Sequence, residues 1–233
     1  MLQVHVVTAA NRSLYASEME AVFRWRHKIY VEEKGWREAR ADGLEIDEFD
    51  TDEATYLVAF RGGDFVASSR LRPFSGPTLL ADVFPALAAA RGLPRRPEDA
   101  EWTRMFVVPA MRERGHKGVS AAMCCAVMEY CVEEGLARIG GIQETYWLPR
   151  WMDYGWRVEP LGLPMDIDGT SCLAAMFEVS PEALEGVRRH AGIATSQIVR
   201  LGPQRAFRTG RVYEDATRED VGDRLGRRGE ERR

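Results

Sequence analysis

The side chains best suited to chemistry in this sequence begin with a predicted helix and the loop that follows it. Arg26 and Tyr30 are four residues apart, so on a helix they share one face. Gly35 predicts the end of that helix, and Trp36 follows it directly. A run of seven carboxylates comes next, at Asp42, Glu45, Asp47, Glu48, Asp50, Asp52 and Glu53.

The acidic run allows two interpretations. Carboxylates this close together repel one another unless cations lie among them. The run is therefore either a solvated acidic loop or the wall of a cleft. Such a wall holds a positively charged ligand or pairs with buried arginines. Composition alone favours the solvated loop.

A second group of functional side chains lies on the predicted strand Glu101–Val108, whose mostly apolar sequence indicates a central position in a sheet. Glu101 and Arg104 fall on opposite faces of an ideal strand. They can reach one site only if a bulge lies between them.

The hydrophobic pattern predicts an α/β fold. Strands are expected at residues 2–8, 55–61, 65–72, 101–108, 137–142, 156–161 and 172–179. Helices are expected at residues 14–34, from about 118 to 135, and at 181–190. This order suggests a mixed sheet with helices on both faces, forming one domain over residues 1–201. A charged, flexible tail is expected at 202–233.

The composition excludes several classes of protein. With 45% hydrophobic residues, 29% charged residues and a net charge of −4, the chain is globular and not a phosphate-dominated nucleic-acid binder. No apolar stretch approaches the ~18 residues that a membrane span needs. The four cysteines have no metal-ligand spacing and read as reduced thiols of a cytoplasmic protein. The four histidines lack triad or metal spacing, so no metal is expected.

Four segments together resemble one family. In chain order they are Arg26-x3-Tyr30-x5-Trp36, Asp47-x2-Asp50, Ser69-Arg70-Leu71-x-Pro73 with Phe84 beyond it, and Glu101-x2-Arg104. This pattern resembles the bacterial autoinducer synthases, the N-acyl-L-homoserine lactone synthases, over roughly residues 1–190. The resemblance implies a three-layer αβα sandwich like that of the acyl-CoA N-acyltransferases (GNAT-like).

The resemblance also implies an activity. The family joins an acyl group, carried as a thioester on acyl carrier protein or coenzyme A, to the amine of S-adenosylmethionine. It then closes the lactone and releases methylthioadenosine, which yields a quorum-sensing signal. These ligands are substrates, and no further cofactor is expected. Glu101 becomes the candidate base, directly or through a water. The other implied catalytic residues are Arg104, Asp47, Asp50 and Arg70.

The implied substrate-binding residues surround this charged set. They are Arg26, Tyr30, Trp36, Phe84, Trp102, Met105 and Trp147. For Trp102 we favour core packing, and for each carboxylate or arginine taken alone the alternative is a structural ion pair. Two residues depart from the family pattern, because Tyr30 replaces the usual Phe and Phe74 an often-present Thr. The tryptophans near residues 147–156 favour a compact, branched or aromatic acyl group.

The acyl donor is left open by the sequence. The loop Arg112–Gly118 resembles the pyrophosphate loop of acyl-CoA-dependent N-acyltransferases, but Arg114 and Gly118 are one residue too far apart for that motif. Five basic residues suit either an acidic carrier protein, coenzyme A phosphates or solvent, namely Arg112, Arg114, Lys117, Arg150 and Arg157.

Two other functions compete with this hypothesis. One is a general acyl-CoA-dependent N-acyltransferase that acts on another amine, although the acidic wall suits a cationic ligand better. The other is a binding module on the same fold, which binds a ligand without turnover and tolerates Glu101→Gln.

Overall fold

The apolar runs of the sequence form the strands of one mixed sheet in the computed structural model, which describes residues 2–113 and 117–214. In chain order the strands of this sheet are β1 (Leu2–Val7), β2 (Thr55–Arg61), β3 (Asp64–Pro73), β4 (Asp99–Val107), β5 (Arg138–Glu144), β6 (Val158–Pro160), β7 (Met165–Ile167), β8 (Thr170–Glu178) and β9 (Ile198–Val199). Their spatial order is β6-β8-β5-β4-β3-β2-β1-β9, with β7 also paired to β8. Strands β10 (Gln204–Arg205) and β11 (Val212–Tyr213) form a separate ribbon.

Helices cover both faces of this sheet. The α-helices are α1 (Ala16–Arg26), α2 (Leu79–Asp82), α3 (Pro109–Glu113), α4 (Lys117–Glu133), α5 (Leu148–Asp153) and α6 (Pro181–Ala191). Short 3₁₀ segments lie at Arg12–Tyr15, Pro85–Ala88 and Thr145–Trp147. The first face of the sheet, which carries α1 and α2, is the face that Arg70 and Glu101 occupy; α4 and α6 cover the second face. The three-layer αβα sandwich is confirmed.

The two faces are packed differently. On the second face, α4 is buried on nearly all sides, and its Met123, Val127 and Tyr130 are fully enclosed in one continuous core. The first face instead holds two separate apolar clusters, one around Tyr30 and Phe106 and one around Phe74, Leu80 and Leu87. Charged residues occupy the space between these clusters.

The helix predicted at residues 14–34 is helical but is not one regular helix. It starts with the 3₁₀ turn Arg12–Tyr15, continues as α1, and widens into a π-helical segment at His27–Glu33. In its last turn the Lys34 amide donates to the Ile29 carbonyl over 3.0 Å, five residues back. Gly35 ends the helix with φ +66°, as predicted. π-Helical turns occur frequently at functional sites.

The hairpin of β2 and β3 and the central position of β4 are confirmed. Strands β7 and β9–β11 were missed, because segments of two or three residues show no measurable alternation. Buried residues also occur beyond residue 201, the predicted end of the domain, at Gln204, Ala206 and Phe207. The rest of the predicted tail, residues 215–233, lies outside the described residues. None of the helices in the described ranges is long and apolar enough to cross a membrane.

Candidate active site

A bulge in β4 organises the site. Arg70 of β3 lies opposite Thr103, whereas Ser68, two residues earlier, lies opposite Phe106, three residues along β4. The extra residue falls at Arg104, whose φ of +53° is unusual for a residue with a side chain. The bulge that the sequence required between Glu101 and Arg104 is therefore present.

The bulge turns Arg104 onto the first face, the face that Glu101 also occupies. There the Arg104 guanidinium lies 5.1 Å from the centre of the Tyr30 ring. The Tyr30 hydroxyl donates to the Met105 carbonyl over 3.2 Å. A bulge interrupts ladder pairing, so this bond gives the displaced backbone a partner. The hydroxyl that distinguishes Tyr30 from the family's Phe thus has a structural role here.

Beside the bulge lies a buried network of arginines and carboxylates. Arg26 pairs with Asp50 through two hydrogen bonds of 2.8 and 2.9 Å. Arg70 contacts Asp47 over 2.5 Å and Asp50 over 2.7 Å. These four side chains are at most 1% exposed. Burial of this kind is tolerated only when charges are paired and hydrogen-bonded, as they are here.

Glu45 completes the network and was not assigned a role from the sequence. It accepts a hydrogen bond from Arg26 and one of 2.8 Å from Arg104 Nη2, which also lies 2.9 Å from Asp47. The network therefore holds three cations and three anions. Nothing in the sequence sets Glu45 apart from its acidic neighbours, because the arginines that pair with it come from distant segments.

Both interpretations of the acidic run are correct, each for part of it. Glu45, Asp47 and Asp50 pair with buried arginines. The other four carboxylates are exposed, namely Asp42, Glu48, Asp52 and Glu53.

The network keeps Asp50 and Glu45 ionised. Burial raises the pKa of Asp50, but the charges of Arg26 and Arg70 outweigh it and hold that pKa far below its usual range. The pKa of Glu45 is likewise lowered, because the charges of Arg104 and Arg26 outweigh burial. Tyr56 adds a further donor, with its hydroxyl 2.6 Å from Asp50.

Glu101 lies on the same face but in a different environment. It is fully buried, and its carboxylate accepts hydrogen bonds from the backbone amides of Leu79 and Leu80 at 3.0 and 2.7 Å. Burial raises the pKa of Glu101, although these amides and the charges of Arg70 and Arg72 oppose the shift. A carboxylate with a raised pKa is a better proton acceptor than an ordinary one.

Glu101 also marks the point at which two parallel strands separate. β4 and β5 pair only over Asp99–Glu101 and Arg138–Gly140. Beyond that point both strands, which the structure describes in full, continue without pairing to each other as far as Val107 and Glu144. The φ of Gly141 is +142°, and a Cβ there would lie 3.3 Å from the Glu101 Cγ. The split leaves the facing edges of β4 and β5 unpaired to each other beyond Glu101.

Aromatic side chains border the split on the first face. Tyr30 and Trp36 stack with their ring centres 5.7 Å apart. Phe84 belongs to the other apolar cluster, on the far side of the charged residues, where it packs with Phe74 and Leu87. The structure thus groups Tyr30 and Trp36 and places Phe84 apart from them.

The remaining predicted contacts lie on the second face. Trp102 is buried 5.5 Å from Trp151, on the opposite face of β4 from Glu101, in accordance with the core interpretation. Met105 and Trp147 are partly buried against the same core, and Trp147 stacks on Trp151. These residues border the split from behind the charged network.

The basic residues divide into separate groups. Arg112 is exposed and donates to the Val107 carbonyl at the end of β4, and Arg150 lies over the Trp147 ring at 4.6 Å. Arg157 forms an exposed ion pair with Glu178. Arg114 and its neighbours in the predicted pyrophosphate loop, residues 114–116, lie outside the described residues, as does the side chain of Lys117.

Comparisons with known proteins identify the family of this chain. The family model for autoinducer synthases matches residues 10–187. Isovaleryl-homoserine lactone synthase of Bradyrhizobium diazoefficiens is 38% identical over 191 residues, which cover 82% of this chain and 86% of that protein.

Solved structures show the same fold. The CoA-dependent acyl-homoserine lactone synthase BjaI, with SAM and isopentyl-CoA, is similar with a TM-score of 0.81 and 37% identity, covering 88% of this chain and 95% of that one. A putative N-acetyltransferase from Lactobacillus plantarum shares the fold alone, with a TM-score of 0.53 and 19% identity over 77% of this chain and 99% of that one. The chain therefore belongs to the autoinducer synthase family and is an acyl-homoserine-lactone synthase.

Proposed function

We propose that this acyl-homoserine-lactone synthase takes its acyl group from coenzyme A and that this group is short and branched. The observation that carries the proposal is the aromatic stack behind the split. Trp147, Trp151 and Trp156 stack in turn, with ring centres 5.6 and 5.4 Å apart. Trp102 and Phe177 close the stack from the side, each about as near to Trp151 as its stacked neighbours. Rings packed this closely leave room for a compact acyl group and not for a long chain.

In the first step the amine of S-adenosylmethionine attacks the thioester carbonyl. Glu101 accepts the proton that the attacking nitrogen loses, directly or through a water, the C–S bond of the thioester breaks, and the donor leaves as its thiolate. The buried position of Glu101 beside the split supports this role. In the second step a carboxylate oxygen of the acylated intermediate displaces methylthioadenosine from its own γ-carbon, which closes the lactone ring. Holding the ligand curled favours this intramolecular step.

The arginines and aspartates have different roles in this proposal. Asp47 and Asp50 already bind arginines, so their task is to hold those arginines in place. Arg104 is the most exposed of the three network arginines, with 9% of its side chain accessible. It is therefore the arginine that meets the ligand carboxylate, while Tyr30 and Trp36 form the wall beside it. Pairing with two carboxylates fixes the guanidinium before the ligand arrives.

Coenzyme A is proposed over acyl carrier protein because of the charge on the surface beside the split between β4 and β5. Two exposed arginines lie at the ends of the strands that form the split, Arg112 after β4 and Arg150 after β5. Two separate cations suit the phosphates of one small donor better than the broad acidic surface of a carrier protein. The relationship to an isovaleryl-homoserine lactone synthase and to a CoA-dependent structure supports both parts of the proposal.

The location expected from the sequence, the cytoplasm, belongs to the same proposal. Cys124, Cys125, Cys131 and Cys172 are all described, buried and unpaired, which suits a reducing compartment.

The test is a direct assay with matched donors. The purified protein is incubated with S-adenosylmethionine and isovaleryl-CoA, isovaleryl-acyl carrier protein or octanoyl-CoA. Methylthioadenosine release is followed, and the product is identified by mass spectrometry. We expect isovaleryl-homoserine lactone from the CoA donor. Preference for the carrier-protein donor would overturn the donor assignment, and preference for octanoyl-CoA would overturn the acyl assignment. Free thiol released only with another amine would favour a general N-acyltransferase.

A further inference from the structure

Glu144, the last residue of β5, connects the two sides of the split. Its carboxylate accepts hydrogen bonds from Lys34 Nζ at 2.6 Å, the Tyr146 hydroxyl at 2.5 Å and Trp147 Nε1 at 3.3 Å. Only 15% of its side chain is exposed. Burial raises the pKa of Glu144, but the bonds from Lys34 and Tyr146 outweigh it and keep the carboxylate ionised. Nothing in the reaction described above uses this residue.

Two of the three hydrogen bonds, those from Tyr146 and Trp147, come from residues that directly follow β5. Trp147 is the outer member of the aromatic stack, with its ring nearly parallel to that of Trp151 at 16°. An indole has one polar group, the Nε1–H. A hydrogen bond from that group therefore fixes the rotation of the Trp147 ring about its side-chain bonds. Glu144 supplies that bond from three residues away. Arg150 lies over the face of the same ring, 4.6 Å from its centre.

The third bond crosses the split. Lys34 follows the π-helical segment on the first face, where its ammonium group lies 4.0 Å from the centre of the Trp36 ring. The ion pair with Glu144 therefore joins the wall that holds the first-face aromatic residues to the end of β5. Because Glu144 makes both contacts, its removal has two separable consequences, one for Trp147 and one for the closure of the split.

We propose that Glu144 is a positioning residue that limits acyl length by fixing the Trp147 indole across the inner end of the acyl site. The inference rests on the proposed function, because it takes Trp147 as a wall of that site. With its hydrogen bond lost, the ring turns away from the stack and the site lengthens. A longer acyl group then fits where a short one did, so the change appears in selectivity between donors and not in chemistry.

Three variants separate the two consequences. Glu144→Gln keeps an oxygen that accepts from Trp147 but loses the charge that holds Lys34. Lys34→Met removes the ion pair and the ammonium contact with Trp36, and it leaves the bond between Glu144 and Trp147 in place. Glu144→Ala removes every contact. We expect the ratio of kcat/KM for octanoyl-CoA to that for isovaleryl-CoA to rise by about 10-fold or more in Glu144→Ala, the order of magnitude of discrimination by a hydrophobic pocket. This donor ratio should stay close to the wild-type value in Glu144→Gln and in Lys34→Met.

A double-mutant cycle gives the sharper comparison. Trp147→Phe keeps an aromatic ring but lacks the N–H, so adding Glu144→Ala to it should leave the donor ratio where Trp147→Phe alone puts it. Glu178→Ala, which removes the exposed partner of Arg157, is the matched control for loss of a carboxylate. If Glu144→Ala fails to fold, the proposal is tested by the donor ratio of Trp147→Phe alone. A wild-type donor ratio in that variant overturns the proposal.

The outcomes distinguish this inference from the function on which it rests. Wild-type protein that makes no product from isovaleryl-CoA contradicts the proposed function. Active wild-type protein, combined with a folded Glu144→Ala variant of unchanged donor ratio, overturns the positioning role alone. Equal shifts in Glu144→Ala and Lys34→Met also overturn it, since they would assign selectivity to the ion pair across the split.

Discussion

Glu101 and Asp50 are both buried carboxylates, yet their surroundings move their pKa values in opposite directions. Asp50 is held between two arginines, and its pKa falls. Glu101 accepts hydrogen bonds from two backbone amides. These bonds lower its pKa by less than burial raises it, so the pKa of Glu101 rises. Opposite shifts of this kind separate groups that hold a structure together from groups that accept protons.

The first prediction concerns Glu101→Gln. The amide cannot take the amine proton, so we expect methylthioadenosine release to fall by about 10²- to 10⁴-fold, the usual contribution of a general base. The raised pKa means that folded Glu101 holds a proton more tightly than the unfolded chain does. Its ionised form therefore opposes folding at neutral pH, a penalty that Gln removes. Gln has one accepting oxygen for the two backbone amides that Glu101 binds, so its NH2 group leaves one of them without a partner, and we expect a modest fall in Tm for a protein that still folds.

Product assays and thermal melts on the same preparation check both halves of this prediction. Glu178→Gln, at an exposed carboxylate, serves as the control. Full activity in Glu101→Gln would remove Glu101 from the mechanism and favour a different proton acceptor.

The second prediction is a pH profile. Glu101 acts only when ionised, and burial raises its pKa above the ordinary glutamate value of 4.5. The acid limb of kcat/KM should therefore lie above pH 4.5, with activity falling as pH decreases through it. Rates measured with saturating acyl-CoA and varied S-adenosylmethionine would give this limb. A limb at or below the ordinary value would mean that another group accepts the proton.

At the scale of elements, the buried network fastens the acidic loop to the sheet. Arg26 comes from α1, Arg70 from β3 and Arg104 from β4, and all three meet carboxylates of residues 45–50. The loop has few apolar anchors of its own, with Phe49 the one fully enclosed between its acidic neighbours. Ion pairs therefore attach this loop to the sheet, whereas hydrophobic packing attaches the other elements of the fold.

The third prediction follows from that arrangement. Asp50→Asn leaves Arg26 and Arg70 each short of a charged partner in a buried site, which should cost about 3–5 kcal/mol of unfolding free energy. Denaturant titration at neutral pH measures the loss. A cost below about 1 kcal/mol, the range of a surface ion pair, would show that the network is not strongly coupled.

The same variant predicts a change in acid stability. The folded pKa values of Asp50 and Glu45 lie below their unfolded values, so their contribution is present above about pH 4 and is lost as pH falls through the acid range. The slope of unfolding free energy against pH below that point should be smaller in Asp50→Asn than in the wild type.

The sequence predicted elements better than it predicted their contacts. The bulge at Arg104 could be deduced, since two functional side chains had to share a face that regular alternation denies them. The π-helical segment could not, because an apolar face spaced three and four residues apart fits an α-helix equally well. Glu45 was missed for a related reason: seven neighbouring carboxylates look alike until the arginines of distant strands select among them.

At the scale of the whole molecule, the sheet brings together residues from four distant segments. The family resemblance captured those segments because each carries a fixed spacing of unusual side chains. The chain after α6 carries no such spacing, and its arginines look like those of a solvated tail. In the structure Arg208, inside the predicted tail, pairs with Glu98 at 2.8 Å, and Arg200, just before that tail, pairs with Glu133 and Glu134 of the α4 region at 2.9 and 3.2 Å. Charge alone cannot distinguish a tail from a segment that packs against partners 66 to 110 residues earlier.

The last prediction concerns a strap formed by residues 193–214, which we propose to be part of the folded domain. The Val4 amide of β1 donates to the Gln197 carbonyl over 2.8 Å, and β9 then covers the edge of the sheet at β1. Phe207 is buried edge-on against Tyr130 of α4. A chain that ends at residue 192 loses all these contacts and exposes a sheet edge, so it should melt at a lower temperature and aggregate.

A chain that ends at residue 214 is the matched control, because it keeps every contact just named. Arg200→Met tests the strap without shortening the chain: it leaves Glu133 and Glu134 unpaired beside a buried helix and should destabilise the protein in the same direction. Thermal melts and light scattering on the three proteins give the comparison. If the chain ending at 192 melts and stays monomeric like the one ending at 214, the sheet does not need its edge covered. The domain then ends with α6, as the family match to residue 187 would allow.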